Sequence, residues 1–166
     1  GPDSMQKLDV FLPPQAKGPM PVIVYFHGGG WEGGAMVDHI LGSSLKTLLD
    51  RGVAVVAVGY RYLRTARLAG EKPPVKMCLD DCEAAVRFVK AHAKDWNLDV
   101  SRLALAGGSA GACTALYLGL KDDNALGVAA LGPIIAQTSL DPQETRAWIP
   151  NATYGGHAFG YKDFDT

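Results

Sequence analysis

Cysteine is scarce in this 166-residue chain, which holds only Cys78, Cys82 and Cys113. An odd count with no CxxC pair argues against a disulfide framework and a zinc ribbon. Cys78 and Cys82 lie one helical turn apart, where free cysteines act as small core residues. Histidine is equally sparse: four residues and no HxxxH, so no metal site is expected. Neither sign of charge dominates. Sixteen Lys and Arg against 17 Asp and Glu leave a net charge of −1. Nucleic acid and anionic membranes favour clustered cations, so neither is expected as a partner. Long hydrophobic runs are also missing. Val53–Val58, and Gly127–Leu131 with Ile134–Ala136, fall far short of the ~18 residues of a membrane span. Gly1-Pro2-Asp3-Ser4 has neither the basic region nor the apolar core of a signal peptide. The compartment, cytoplasmic or exported, stays open. No internal repeat or low-complexity tract is present.

What the chain does have is 48% hydrophobic residues, enough for the core of one domain. Gln6–Leu12 alternates loosely and ends at Pro13-Pro14, as a strand and turn do. Val22–Phe26 is β-branched and aromatic and runs into glycines, a short buried strand. His39–Arg51 carries Ile40, Leu41, Leu45, Leu48 and Leu49 at helical spacing and stops at Gly52. Val53–Tyr60 is apolar throughout, as a strand covered on both faces is. Arg61–Pro74 reads as irregular. Val75–Lys94 is a second helix, with Met77, Cys78, Cys82, Ala85, Val86 and Val89 inside. Asp95–Arg102 reads as a polar loop, Leu103–Ala106 as a strand and Ala110–Leu120 as a small-residue helix. Gly127–Ile135 is a further strand, broken by Pro133. The pattern then fades over Gln137–Thr166. Apolar strands alternating with helices predict an α/β fold, a mostly parallel sheet with helices on both faces.

Two segments carry chemistry. Gly107-Gly108-Ser109-Ala110-Gly111 matches G-x-S-x-G, in which a serine sits on a strained turn between strand and helix. The flanking glycines let the two elements approach. The helix starting at Ala110 then aims its amides and positive dipole end at the same spot. At this composition roughly 0.1 chance matches are expected, so the preceding strand and following helix are what strengthen the match. The second segment is His27-Gly28-Gly29-Gly30-Trp31, with chance odds on the order of 0.01. A loop without side chains exposes amides that can hold the oxyanion of a tetrahedral intermediate.

These segments resemble the α/β-hydrolase fold, and within it the hormone-sensitive-lipase-type and related bacterial carboxylesterases. Tyr60-Arg61-Tyr62-Leu63 resembles the family's YRL segment, and Asp99–Gly107 (DVSRLALAG) its approach to the elbow. The resemblance covers about residues 6–135. It implies a serine carboxylesterase with Ser109 as nucleophile, Gly29, Gly30 and Ala110 as oxyanion hole, and small or short-acyl esters as substrates. No cofactor or metal is implied. The family order is Ser, then an acid, then His. Only 57 residues follow Ser109 (166 − 109), so the acid and base are expected beyond Thr166. The 166 residues would then be one partial α/β-hydrolase domain, with 136–166 a loop or lid-like segment. Within the chain, His157 is the one candidate base, and Asp141 the acid that keeps the order. A bare sheet edge would suit pairing with a second copy.

Other residues read more blandly. His27 reads as a structural residue pinning the glycine loop. Trp31 is a candidate for lining the acyl pocket or for the core. Arg61 is expected to pair with Asp80 or Asp81 beneath the loop. Lys90, Lys94, Asp122 and Asp123 read as solvated, and Asn151-Ala152-Thr153 as a coincidental N-x-T. The rival reading is a catalytically incomplete domain of the same fold that binds a ligand and keeps the elbow as a relic.

Overall fold

A computed structural model of the chain describes residues 1–137. Five strands form one sheet in the order β1-β3-β2-β4-β5. They are β1 (Leu8–Phe11), β2 (Met20–Phe26), β3 (Ala54–Val58), β4 (Leu98–Gly108) and β5 (Ala130–Ile134). Only β1 runs antiparallel, against β3. The other three pairings are parallel. The helices are α1 (His39–Asp50), α2 (Leu63–Leu68), α3 (Val75–Ala91) and α4 (Ala110–Leu120).

The continuous apolarity of β3 follows from its place inside the sheet, covered on both faces. Its alternate residues Val55 and Ala57 join Tyr25 and Leu41 in a small core under α1. Ala54, Val56 and Val58 join Val24, Phe26, Leu105 and the inner faces of α3 and α4 in the larger core. Cys78 and Cys82 belong to that larger core, as free thiols. Burial pushes the Cys78 thiol up to about 12. The small residues of α4 let it lie close to the sheet, and eight of its eleven residues are buried.

Three elements differ from the sequence expectation. The 61–74 segment contains α2, a short helix whose Leu63 and Ala66 are buried. β4 begins at Leu98 rather than Leu103. Residues 99–102, polar except for Val100, ride in an irregularity where the register against β2 jumps between Met20 and Val22. Asp99 holds them there, accepting from the Ser101 amide (3.0 Å) and the Arg102 guanidinium (2.6 Å). β5 continues through Pro133, which pairs in register with Gly107. Among the described residues β5 is an edge strand, where a missing N–H is tolerated.

Parallel β2 and β4 are neighbours in register, Phe26 opposite Gly107. Their carboxyl ends therefore release both glycine segments at the same sheet edge, the usual place for an α/β ligand site. No helix among the described residues is long and apolar enough to cross a membrane.

Candidate active site

The turn after β4 is shaped by crowding. β4 ends at Gly108 and α4 begins at Ala110, so Ser109 alone reverses the chain, at φ 51° and ψ −116°. A non-glycine residue there stores on the order of 1–3 kcal/mol of strain. A Cβ on Gly107 would lie 2.5 Å from the Phe26 carbonyl oxygen, and one on Gly111 would collide with that same carbonyl. Both neighbours must therefore be glycine. Ser109 is exposed between the buried Gly108 and Ala110. Its amide donates to the Ile134 carbonyl at 3.0 Å, tying the turn to the end of β5. The Ala110 amide has no acceptor among the described residues. The Ser109 hydroxyl likewise has no hydrogen-bond partner among them.

The loop after β2 lies against this turn. A Cβ on Gly28 would sit 3.0 Å from the Gly108 carbonyl oxygen and 3.4 Å from the Ser109 Cβ. Gly29 and Gly34 adopt φ of 111° and 130°, closed to most side chains. The loop folds on itself through the Glu32 amide, which donates to the Gly29 carbonyl (3.0 Å). The amides of Gly29 and Gly30 donate to no acceptor among the described residues.

Side chains from elsewhere hold this loop. His27 is 1% exposed and stacks on Tyr60 at 4.4 Å, the rings 9° apart. Its Nδ1 lies 2.7 Å from the Gly28 carbonyl. Because that partner only accepts, we assign the proton to Nδ1. Burial holds the His27 pKa below its usual value, although the Gly28 contact works the other way. The Tyr60 hydroxyl donates to the His27 carbonyl (2.8 Å) and the Tyr62 hydroxyl to that of Gly34 (3.0 Å). Trp31 is 2% exposed and part of the larger core. Its indole donates to the Thr114 hydroxyl (3.1 Å), which donates to the Ala110 carbonyl (3.0 Å). The loop is thereby connected to the first turn of α4.

Behind the tyrosines lies an ion pair. Asp81 accepts from Arg61 Nε (2.8 Å), a terminal guanidinium nitrogen (2.6 Å), the Arg61 amide (3.0 Å) and Gln6 (2.7 Å). Burial pushes the Asp81 carboxyl up, but the Arg61 contacts outweigh it and hold the pKa low. Of the two sequence candidates only Asp81 serves. Asp80, one residue along α3, points outward and pairs with Lys76. Lys90, read as solvated, caps the Leu126 carbonyl at 2.6 Å.

Asp38 escaped the sequence reading altogether. It caps α1, accepting from the Ile40 (3.0 Å) and Leu41 (2.9 Å) amides, and it also receives the Tyr25 hydroxyl and the Gly28 amide. An aspartate just before a periodic apolar segment was the available signal. His157 and Asp141 lie outside the described residues, as does the Asn151–Thr153 motif. Among the described residues no group of His, Cys, Asp and Glu could hold a metal ion.

A mostly parallel sheet with a serine on the strand–helix turn after β4, facing a glycine loop after β2, defines an α/β-hydrolase. More narrowly, the chain belongs to the BD-FAE family, which matches residues 8–143. It is 38% identical over 102 residues to carboxylesterase NlhH of Mycobacterium tuberculosis, spanning 61% of this chain and 30% of the relative. Its fold resembles butyrate-bound esterase 2 of Thermogutta terrifontis, with TM-score 0.61 and 25% identity over 75% of this chain and 46% of that one. It also resembles a bacterial heroin esterase, with TM-score 0.67 and 26% identity over 93% of this chain and 48% of that one. In each case the match spans less than half of the relative's own length.

Proposed function

We propose that this chain carries the nucleophile and oxyanion hole of a serine carboxylesterase acting on small or short-acyl esters. One observation carries the reading. The exposed Ser109 sits on a strained turn beside a glycine loop whose Gly29 and Gly30 amides have no acceptor among the described residues. The relatives named carboxylesterase and esterase support the same reading.

In this proposal Ser109 Oγ attacks the ester carbonyl carbon as its proton passes to a general base. The carbonyl electrons move onto oxygen, where the amides of Gly29, Gly30 and Ala110 stabilise the charge. Each such donor is worth roughly 2.7–4 kcal/mol in the transition state. Collapse expels the alcohol, which takes the proton, and leaves an acyl group on Ser109. Water, activated by the same base, then releases the acid and restores the serine. The base and its acid come from outside the described residues, where His157 and Asp141 are the pair this sequence offers. Trp31 serves as the loop's anchor to α4, and its role in the acyl pocket is through that anchoring.

The test is an intact-mass spectrum after exposure to a fluorophosphonate. One adduct, lost in Ser109→Ala, is expected, together with a fall in ester hydrolysis on the order of 10⁴-fold or more. A wild-type protein that takes up no phosphonate and hydrolyses no ester would return the chain to the ligand-binding reading.

A further inference from the structure

Gly29 and Gly30 can present their amides to one point only if the peptide before them is fixed. That peptide begins at the Gly28 amide, and the Asp38 carboxylate receives it, Oδ2 lying 3.4 Å away. The Tyr25 hydroxyl is shared by both oxygens, 3.0 Å from Oδ2 and 2.9 Å from Oδ1. Oδ1 also takes the Ile40 and Leu41 amides. One carboxylate thus divides its work, Oδ1 capping a helix and Oδ2 facing the loop. Tyr25 sits beside the elbow as well, since a Cβ on Gly108 would lie 3.5 Å from its hydroxyl.

We propose that Asp38 is a positioning residue for the oxyanion loop, fixing the Gly28 amide through Oδ2 so that the following glycine amides face Ser109. The inference rests on the esterase reading for its effect on rate, but not for its effect on the loop. Several hydrogen bonds keep the carboxylate ionised. Burial alone would raise its pKa, yet the Leu41, Gly28 and Ile40 amides and the Tyr25 hydroxyl together lower it.

Asp38→Asn separates the two duties. Asparagine is as good a helix cap as aspartate, so its oxygen keeps the Ile40 and Leu41 amides. Its NH₂ then takes the place of Oδ2 and meets the Gly28 N–H donor to donor. We expect a thermal midpoint close to wild type, kcat lower by roughly tenfold or more, and KM within about twofold. In ¹H–¹⁵N spectra of the same protein the Gly28 amide proton should move upfield and exchange faster with solvent. Asp38→Ala should reproduce the loss of kcat and also lower the midpoint. An unmoved Gly28 amide in Asp38→Asn overturns the inference whatever the activity. So does an active protein whose kcat is unchanged or higher in that variant. If the wild type proves inert toward esters and phosphonate while the Gly28 amide still shifts, the esterase reading falls and the positioning of the loop stands.

Discussion

The two glycine segments at the sheet edge are both crowded, but the loop carries a second constraint that the elbow glycines do not. In the elbow, Gly107 and Gly111 lie where a strand and a helix press against the Phe26 carbonyl, with no room for a methyl group. In the loop, Gly29 and Gly34 are crowded too, a Cβ colliding with the Gly33 carbonyl oxygen or with His27 Nδ1, and their φ is positive besides. The elbow is held by backbone: its strand, turn and helix pack against the Phe26 carbonyl, and the Ser109 amide donates to the Ile134 carbonyl. The loop is held by His27, Tyr60, Tyr62, Trp31 and Asp38, drawn from three separate parts of the chain. A site made this way has one half set by backbone packing between neighbouring strands and one half set by side chains drawn from elsewhere in the chain.

The largest effect should come from filling the elbow. Gly111→Ala forces a Cβ into the Phe26 carbonyl, a backbone group at the end of β2 that cannot swing away. We expect a loss of at least about 3 kcal/mol, at the upper end of overpacking costs, seen as a fall in soluble yield and in the urea midpoint. A variant with wild-type stability would mean the elbow is looser than its crowding implies.

Tyr60→Phe probes the other half. It leaves the ring stack in place and removes only the hydroxyl, orphaning a buried carbonyl at His27. The cost should be about 1–2 kcal/mol. If the loop depends on distant packing, ester turnover should fall more than stability alone explains at temperatures where the variant is fully folded. Equal activity of folded Tyr60→Phe and wild type would show that the loop keeps its shape without the Tyr60 hydroxyl.

Smaller again is the release of strain at the nucleophile. Ser109→Ala and Ser109→Gly both lack the hydroxyl, but only glycine relaxes at φ 51° and ψ −116°. Ser109→Gly should be the more stable of the two by about 1 kcal/mol. Matching melting temperatures would remove strain from the account of the elbow.

The same division decides what could be read from the sequence. The elbow was legible because its rule is local: glycine, any residue, serine, any residue, glycine, between a strand and a helix. The sheet class was legible for a similar reason, since β3 declares its burial in eight consecutive apolar or small residues, Val53–Tyr60. Of the loop's supports, His27 was legible as a pin and the others were not. Tyr60 stood out only as part of a YRL segment, and nothing in spacing links it to the His27 carbonyl 33 residues earlier. Arg61 was assigned a partner on α3, but choosing Asp81 over Asp80 needs the rotation of that helix about its axis. The 61–74 segment hid α2 because only Leu63 and Ala66 of its six residues are buried, too few for a periodic signal. Thr114 looked like one more small residue of α4, and its bond to the Trp31 indole joins positions 83 apart.

His27 offers the finest test of that difference, because its protonation touches the loop and leaves the elbow alone. Burial lowers its folded-state pKa below the unfolded value of about 6.5. A group depressed in this way binds more protons unfolded than folded. Its contribution to stability is therefore complete above pH 6.5 and is lost as the pH falls from there through the folded pKa. Asp38 and Asp81 also have lowered pKa values, but their contributions persist down to about pH 4, where the unfolded carboxylates begin to protonate. Urea midpoints measured from pH 7.5 to 5.0 should accordingly begin to decline near pH 6.5. In His27→Asn, which keeps a short donor for the Gly28 carbonyl but cannot titrate, the decline over that window should flatten. A slope unchanged by the substitution would mean that the imidazole accepts a proton in the folded loop, and that the loop tolerates a charge its packing should exclude.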